Sequence, residues 1–357
     1  MKGLILTGGR GTRLRPLTHT GPKQLIPVAN KPVLEYAVED LRDAGITDIG
    51  VVLGNKGREA IQRYLGDGSQ FGVNITYIIQ GNPLGLAHAV GCAESFVAGD
   101  DFVVYLGDNI TRYGLNDLID TFDSKSNSAT IAIQEVDTPE RFGIVELDED
   151  DNVVTLIEKP DDPPSNLGMI GTFVFSSEIF DAIERIEPSD RGELEITDAI
   201  RNLLHQGYNI DAVPVTGWWK DTGKPEDILD ANRFILEQRE PSNGVDFNQE
   251  AEIKGRVDIE KGVTIEDGAV VRGPASIAKN STIGGGAYVG PYTSIGPDCT
   301  IRNTHIENSV VVSHTTIDTE EKIIDSLIGR GTSIHNSKDE VPEGKRLVVG
   351  ENSQMKI

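Results

Sequence analysis

Cysteine is almost missing from this 357-residue chain, which has only Cys92 and Cys299. Two thiols so far apart exclude a disulfide-stapled scaffold and agree with a reducing, cytoplasmic setting. No apolar run approaches the roughly 20 residues a membrane helix needs, and the first residues lack a secretion-signal pattern, so no membrane partner is expected. The six histidines fall into no metal-ligand spacing, and no Ser-His-Asp or Cys-His arrangement stands out. Positive charge is scarce as well: 33 Lys and Arg stand against 57 Asp and Glu, a formal net charge of −24. Such a field repels a phosphate backbone at long range and excludes nucleic acid as an expected partner. Lysine is the rarer cation, 15 residues against 18 arginines. An acidic, lysine-poor surface suits a very salty cytoplasm, where the screening length falls to about 3 Å at 1 M, and a halophilic origin is expected.

Against that acidic background the N-terminus is a concentrated exception. The apolar run Leu4-Ile5-Leu6 reads as a strand and feeds into Gly8-Gly9-Arg10-Gly11-Thr12-Arg13, with Arg15 and Lys23 close behind. Glycine lacks a Cβ, so backbone N–H groups can come close to phosphate oxygens, and the cations add the charge a polyphosphate requires. Two familiar glycine loops do not fit. A dinucleotide loop needs a third glycine where Leu14 stands, and no G-K-[ST] follows as a Walker A loop demands.

Residues 1–238 alternate strand and helix, the pattern of a mostly parallel sheet covered on both faces. Helices are expected over 32–44, 58–65, 86–96, 179–186, 196–205 and 225–238. Strands are expected over 49–53, 75–79, 102–106, 129–136 and 172–175, with a hairpin at 148–152. Strand 102–106 ends on Gly107-Asp108-Asn109, and ligands of open α/β sheets sit beyond the carboxyl ends of strands. The polar stretch 239–252 reads as a linker.

The second half repeats itself. Aliphatic residues recur every six positions at Ile253, Ile259, Ile265, Val271, Ile277, Ile283, Val289, Ile295 and Ile301, the first eight each followed four residues later by a small or short residue from Val257 to Cys299. Period six fits neither an α-helix nor a half-solvated sheet. It fits a parallel β-helix in which each flat wall takes one hexapeptide and three complete a coil. The register slips at Ile306, is expected to recover at Val312, slips again at Ile317 and fades after Ile334. Residues 253–335 therefore form the expected β-helix and 336–357 a tail.

The segments GGRGTRLRPLT, PKQLIPVANKP, QGNPLGLAHA, LGDN, ERFGIVE, IEKP, RGELEITD and WWKDTG follow one another between residue 8 and about residue 223. In that order they resemble the sugar-1-phosphate nucleotidylyltransferases, most nearly the long type of glucose-1-phosphate thymidylyltransferase, whose C-terminal extension the hexapeptides match. The resemblance implies a Rossmann-like nucleotidyltransferase domain followed by a left-handed parallel β-helix. It also implies Mg²⁺-dependent transfer of a nucleotidyl group from dTTP to glucose 1-phosphate, with release of pyrophosphate. Two anions must meet in such a reaction, so positioning and charge neutralisation carry the catalysis and no serine or cysteine nucleophile is required.

The implied roles follow the motifs. Gly8, Gly9, Gly11 and Thr12 would line the nucleotide, with Arg13 and Lys23 on the reacting phosphates. Asp108 and Asp221 would be the Mg²⁺ ligands, hard oxygen donors that leave room for phosphate oxygens. Gln80 and Gly85 would read the base. Glu158 would hold the sugar hydroxyls and Lys159 the sugar phosphate, with Gly143 and Arg191 on the same side. Each residue also has a plainer reading: Asp108 and Asp221 as turn formers, Glu158-Lys159-Pro160 as a hairpin end with a solvated ion pair, and Trp218-Trp219 as packing. UTP as donor, and guanylyl transfer to mannose 1-phosphate, are the neighbouring alternatives. A bifunctional acetyltransferase, to which His305 or His314 would belong, and a non-catalytic regulatory subunit are more distant ones. Leu84 stands where related enzymes often have aspartate. The flat walls and open coil ends of a β-helix lead us to expect a homo-oligomer.

Overall fold

Nine strands share one sheet in the N-terminal part of the protein, and three five-stranded sheets build the C-terminal part. The structure, a computed structural model, describes residues 1–9, 11–112, 114–240 and 251–336. Arg10, linker residues 241–250 and tail residues 337–357 lie outside the described residues. The chain divides into two compact units: residues 1–10 with 34–221, and residues 11–33 with 222 onward.

In the first unit, strand Lys2–Leu6 lies parallel to Asp48–Gly54 on one side and to Phe102–Leu106 on the other, and Asn74–Gly81 continues the parallel order. Leu4, Ile5, Val51, Val52, Val103 and Val104 are fully buried, as strands covered on both faces must be, hence their unbroken apolar runs. Leu167–Phe175 joins antiparallel beyond Phe102–Leu106 and leads to Gly143–Leu147 and Val153–Glu158. On a branch from it, Ala129–Glu135 pairs antiparallel and carries Ile210–Pro214 alongside in parallel. The four parallel strands end at the same edge, so Gly8, Gln80 and Asp108 emerge together. This is the Rossmann-like half.

Helix Arg58–Leu65 has the expected limits, and Ile196–His205 and Pro225–Gln238 match as well. The expected 86–96 helix is two pieces, Leu86–Gly91 and Glu94–Val97. Gly91 and the small residues around it give the helix little to hold it continuous, and it ends there. Two short strands escaped the sequence reading: Asn109–Thr111 and Trp219–Asp221, three residues each.

In the second unit the hexapeptides form a left-handed parallel β-helix. The aliphatic positions stack from coil to coil: Ile253, Val271, Val289, Ile306 and Ile323 on one wall, Ile259, Ile277, Ile295, Val311 and Ile328 on the next, Ile265, Ile283, Ile301, Ile317 and Ile334 on the third. Val311 fills the interior place assigned from sequence to Val312, since the step from Ile306 takes five residues in place of six and Val311 is the one fully buried. Interior hydroxyls are satisfied by backbone: Ser281 Oγ donates to Gly296 O at 2.7 Å and accepts from Cys299 N at 3.0 Å. Burial pushes the Cys299 thiol up to about 11.

The same unit holds a buried polar junction. Asn232, on helix Pro225–Gln238, accepts from Ala29 N at 2.8 Å and from Ser294 Oγ at 2.7 Å, and donates to Tyr292 O at 2.8 Å. Arg239 donates to Ala29 O at 2.7 Å and pairs with the buried Asp258 at 2.8 Å. The tight turn at Ala29-Asn30, between Pro27–Val28 and Lys31–Pro32, is thereby fastened to a wall of the β-helix.

Candidate active site

The loop after Lys2–Leu6 is tied down at its first residue, where Thr7 N and Thr7 Oγ1 both donate to Val52 O at 3.0 and 2.7 Å. Gly8 then passes Gln80, and a Cβ on Gly8 would lie 3.1 Å from Gln80 Oε1. Gln80 is buried, and its Nε2 donates to Gly85 O at 3.3 Å. Gly85 has φ +115°, and a Cβ there would meet the Leu194 O and N at 2.4 and 2.5 Å. The close approach that requires glycine at 85 is therefore to the backbone of the RGELEITD segment. Leu194 N also donates to Leu84 O at 2.7 Å, and Ala87 N to Leu194 O at 3.0 Å.

The two short strands bring the backbone at the two expected metal residues together. Trp219–Asp221 pairs antiparallel with Asn109–Thr111, setting Asp221 opposite Asn109, the residue after Asp108. Asn109 Nδ2 donates to Asp108 Oδ1 at 3.0 Å, and Trp219 Nε1 donates to Asn109 Oδ1 at 2.5 Å. Trp219 also packs edge-on against Phe142, ring centres 5.9 Å apart. Its reading as packing alone is incomplete, because its indole N–H orients the side chain that holds Asp108. Asp40, from helix Val33–Asp43, anchors the same turn from below: its Oδ2 accepts from Tyr105 Oη at 2.7 Å and Thr111 Oγ1 at 3.0 Å. Burial raises the Asp40 carboxyl above its ordinary value, although both hydroxyls work the other way.

Asp108 and Asp221 are half-buried oxygen donors, and no group of three or more His, Cys, Asp or Glu side chains suited to a metal occurs among the described residues. One or two carboxylates, completed by water and substrate phosphate, are the donor set of Mg²⁺, so these residues fit that ion.

At one edge of the nine-stranded sheet Glu158 lies opposite Gly143. Glu158 Oε2 accepts from Thr197 Oγ1 at 2.7 Å, while Oε1 meets the Arg191 guanidinium and Lys159 Nζ, each at 3.1 Å. Arg191 is held in turn by Glu195, only 5% exposed, at 2.7 Å. A Cβ on Gly143 would lie 2.5 Å from Met169 Cε, 2.7 Å from Thr197 Oγ1 and 3.0 Å from Glu158 Oε2, so only glycine leaves this corner intact. Lys159 has φ +43°, a conformation unusual for a lysine. Three donors converge on Glu158, more than the solvated pair at a hairpin end would need. Thr197 was not anticipated; its one signal was its place inside RGELEITD.

In the second unit Gly11 is left-handed, at φ +59°, and its carbonyl accepts from Thr18 Oγ1 at 2.6 Å. A Cβ on Gly11 would fall 3.0 Å from Thr18 Cγ2 and 3.5 Å from Lys23 Cβ. The bare glycine thus lets the half-buried Lys23 fold against the loop. Leu14 is buried, while Thr12 and Arg13 are exposed. In the β-helix His305 packs on Tyr288 at 5.3 Å between ring centres and His314 faces Asp298 at 3.8 Å. Among the described residues no helix is long and apolar enough to cross a membrane.

The sequence model of the nucleotidyl transferase family matches residues 2–238, and that of the GMPPB C-terminal domain matches residues 271–356. The chain is 61% identical over 357 residues, 100% of both chains, to the low-salt glycan biosynthesis nucleotidyltransferase Agl11 of Haloferax volcanii. It is 44% identical over 358 residues, 100% of this chain and 99% of the other, to a glucose-1-phosphate thymidylyltransferase of Streptomyces antibioticus. A solved UDP-glucose pyrophosphorylase complexed with UDP-glucose is similar at a TM-score of 0.60 and 27% identity, over 67% of this chain and 99% of that one. On the family match and on full-length identity to such relatives, the chain belongs to the nucleotidyl transferase family.

Proposed function

We propose that this enzyme transfers a thymidylyl group from dTTP to glucose 1-phosphate, giving dTDP-glucose and pyrophosphate. The observation that carries the reading is that the first unit holds two separate acidic corners, one at a two-stranded sheet and one at the edge of the nine-stranded sheet. The Asn109–Thr111 and Trp219–Asp221 strands bring the backbone at Asp108 and Asp221 together, and a separate carboxylate, Glu158, is clamped among Lys159, Arg191 and Thr197. The first suits a metal on phosphates and the second suits a sugar phosphate.

In this scheme a phosphate oxygen of the sugar 1-phosphate attacks the α-phosphorus of the nucleotide. The bond from that phosphorus to the oxygen bridging to the β-phosphate breaks, and pyrophosphate leaves. The reactants repel each other, so the protein's contribution is alignment and countercharge. Gly8, Gly9, Gly11 and Thr12 line the triphosphate, Arg13 neutralises the departing pyrophosphate, and Lys23 acts on the phosphate being transferred. Gln80 meets the base. Glu158 accepts from sugar hydroxyls, while Lys159 and Arg191, already beside it, face the sugar phosphate, and Gly143 leaves the sugar room. Asp108 and Asp221 would hold Mg²⁺, which when bound supplies positive charge to the phosphate oxygens.

The decisive experiment measures pyrophosphate release with dTTP, UTP, GTP and CTP crossed against glucose, mannose and N-acetylglucosamine 1-phosphates, with and without Mg²⁺. Turnover favouring dTTP and glucose 1-phosphate, and dependent on the ion, is expected. Turnover confined to GTP with mannose 1-phosphate would overturn the assignment. UTP is the second reading, supported by the likeness to UDP-glucose pyrophosphorylase. Self-association through the β-helix and a cytoplasmic, high-salt setting complete the proposal. Sedimentation tests the first, and an unfolding temperature that rises with KCl tests the second.

A further inference from the structure

A carboxamide can present either its oxygen or its NH₂ to a base, and the surroundings of Gln80 decide which. The Gly85 carbonyl only accepts, so the NH₂ side of Gln80 must face it. The same Nε2 lies 3.3 Å from His88 Nδ1. An NH₂ group only donates, so Nδ1 carries the lone pair and the ring proton sits on Nε2, which is 3.9 Å from Cys92 Sγ. His88 and Cys92 are four residues apart in the Leu86–Gly91 turn and its cap, the spacing that brings side chains together on a helix. Gln80 Oε1 is then left on the side of Gly8. With the ring proton kept on Nε2 beside Cys92 Sγ, turning the amide over would place its oxygen against the Gly85 carbonyl and the His88 Nδ1 lone pair, and a buried polar group without a partner is strongly disfavoured.

We propose that His88 is a specificity-determining residue that fixes Gln80 as a hydrogen-bond acceptor toward the nucleotide base. The consequence is chemical. Thymine and uracil carry an N–H at N3 that such an acceptor receives, whereas N3 of cytosine is itself an acceptor and is repelled. His88 therefore selects the first two against the third without touching the base. This rests on the reading that Gln80 faces the base in a pyrimidine nucleotidyltransferase.

The test compares wild type with His88→Leu, which removes the acceptor, and His88→Gln, whose amide oxygen can replace it. Steady-state rates with dTTP and with dCTP, and calorimetric binding of each triphosphate, are measured for all three. In His88→Leu the dTTP-to-dCTP ratio of kcat/KM falls by about tenfold, the scale of one misplaced hydrogen bond, with the dTTP loss residing in KM. His88→Gln returns the ratio to within about twofold of wild type, the tolerance of a conserved hydrogen bond. A His88→Leu variant that melts like wild type and keeps the wild-type ratio overturns the proposal, as does a His88→Gln variant that behaves like His88→Leu. If His88→Leu fails to fold, His88→Lys, a donor only, carries the same comparison. A wild type that binds both triphosphates yet turns over neither defeats the functional reading alone and leaves the binding ratio to judge His88; one that binds neither overturns both.

Discussion

The corner around Glu158 and the interior of the β-helix are both well filled, and they are built on opposite principles. At Glu158 unlike groups meet: a carboxylate, a lysine, an arginine and a threonine drawn from positions 158, 159, 191 and 197. In the β-helix like groups meet: isoleucine and valine stacked on themselves at fixed register through five strands per wall. Each stacked aliphatic contributes roughly 1.5–3 kcal/mol by leaving water, and a neighbour shares its loss. The Glu158 ion pairs, whose Lys159 and Arg191 partners are 39% and 40% exposed, are worth only about 0–1 kcal/mol each, and their value lies in direction. Stability here is repetitive and chemistry is singular, so damage to the two should read out separately, one in melting and the other in rate.

The largest separation is expected at the metal carboxylates. Asp108→Asn and Asp221→Asn should each lower turnover by about 10³-fold or more, the usual scale for losing charge stabilisation at reacting phosphates. Calorimetric melting should stay close to wild type, since each amide keeps its carboxylate's shape. Near-normal rates in both variants would remove the assignment. Glu158→Gln should cost about 10²-fold in kcat/KM for the sugar phosphate, comparable with removing a group that binds in the transition state. If it alters melting and not rate, the corner is a structural clamp. The reverse case is Ile295→Ala, in the middle of its wall and fully buried. It should lose about 2–5 kcal/mol of stability in denaturant unfolding, the range for emptying a packed site, while kcat per folded molecule is unchanged.

The same contrast explains what was legible from sequence. The β-helix was visible because its period is imposed at every coil, and it misled at Val311-Val312, where two adjacent valines offer two registers, and therefore at Ile317, which follows Val311 by six residues without a slip. The parallel strands showed as apolar runs. The strands Asn109–Thr111 and Trp219–Asp221 did not, because three residues carry no period and their pairing spans more than a hundred positions. The resemblance singled out Asp108, Asp221, Glu158 and Arg191 as candidates, but not the neighbours that orient them. Trp219 looked like packing, Thr197 like an ordinary helix residue, and His88 like a residue of a small helix. Gly85 was expected to read the base, and the space that its missing Cβ leaves is taken by the backbone at Leu194. Hydrogen-bond partners are set by tertiary convergence, which a linear pattern does not encode.

The smallest effect is the one that separates anchoring from charge. Asp40 holds Tyr105 and Thr111, which bracket the Asp108 turn, yet burial raises its carboxyl above the ordinary 3.8. A raised carboxylate binds its proton more tightly folded than unfolded. Its contribution is therefore fully present below pH 3.8 and is lost as pH climbs through the folded value, above which an ionised group stays buried at a cost. Asparagine stays neutral, and its Oδ1 can accept from both hydroxyls. Asp40→Asn should thus match or exceed wild-type stability at pH 7 by a few tenths to about 1 kcal/mol, and the advantage should shrink as pH falls through the carboxylate range. Denaturant unfolding between pH 3 and 7 measures it. A loss of about 2 kcal/mol or more at neutral pH, the cost of a broken buried network, would mean that the ionised carboxylate, with Arg112 nearby, holds the turn by charge.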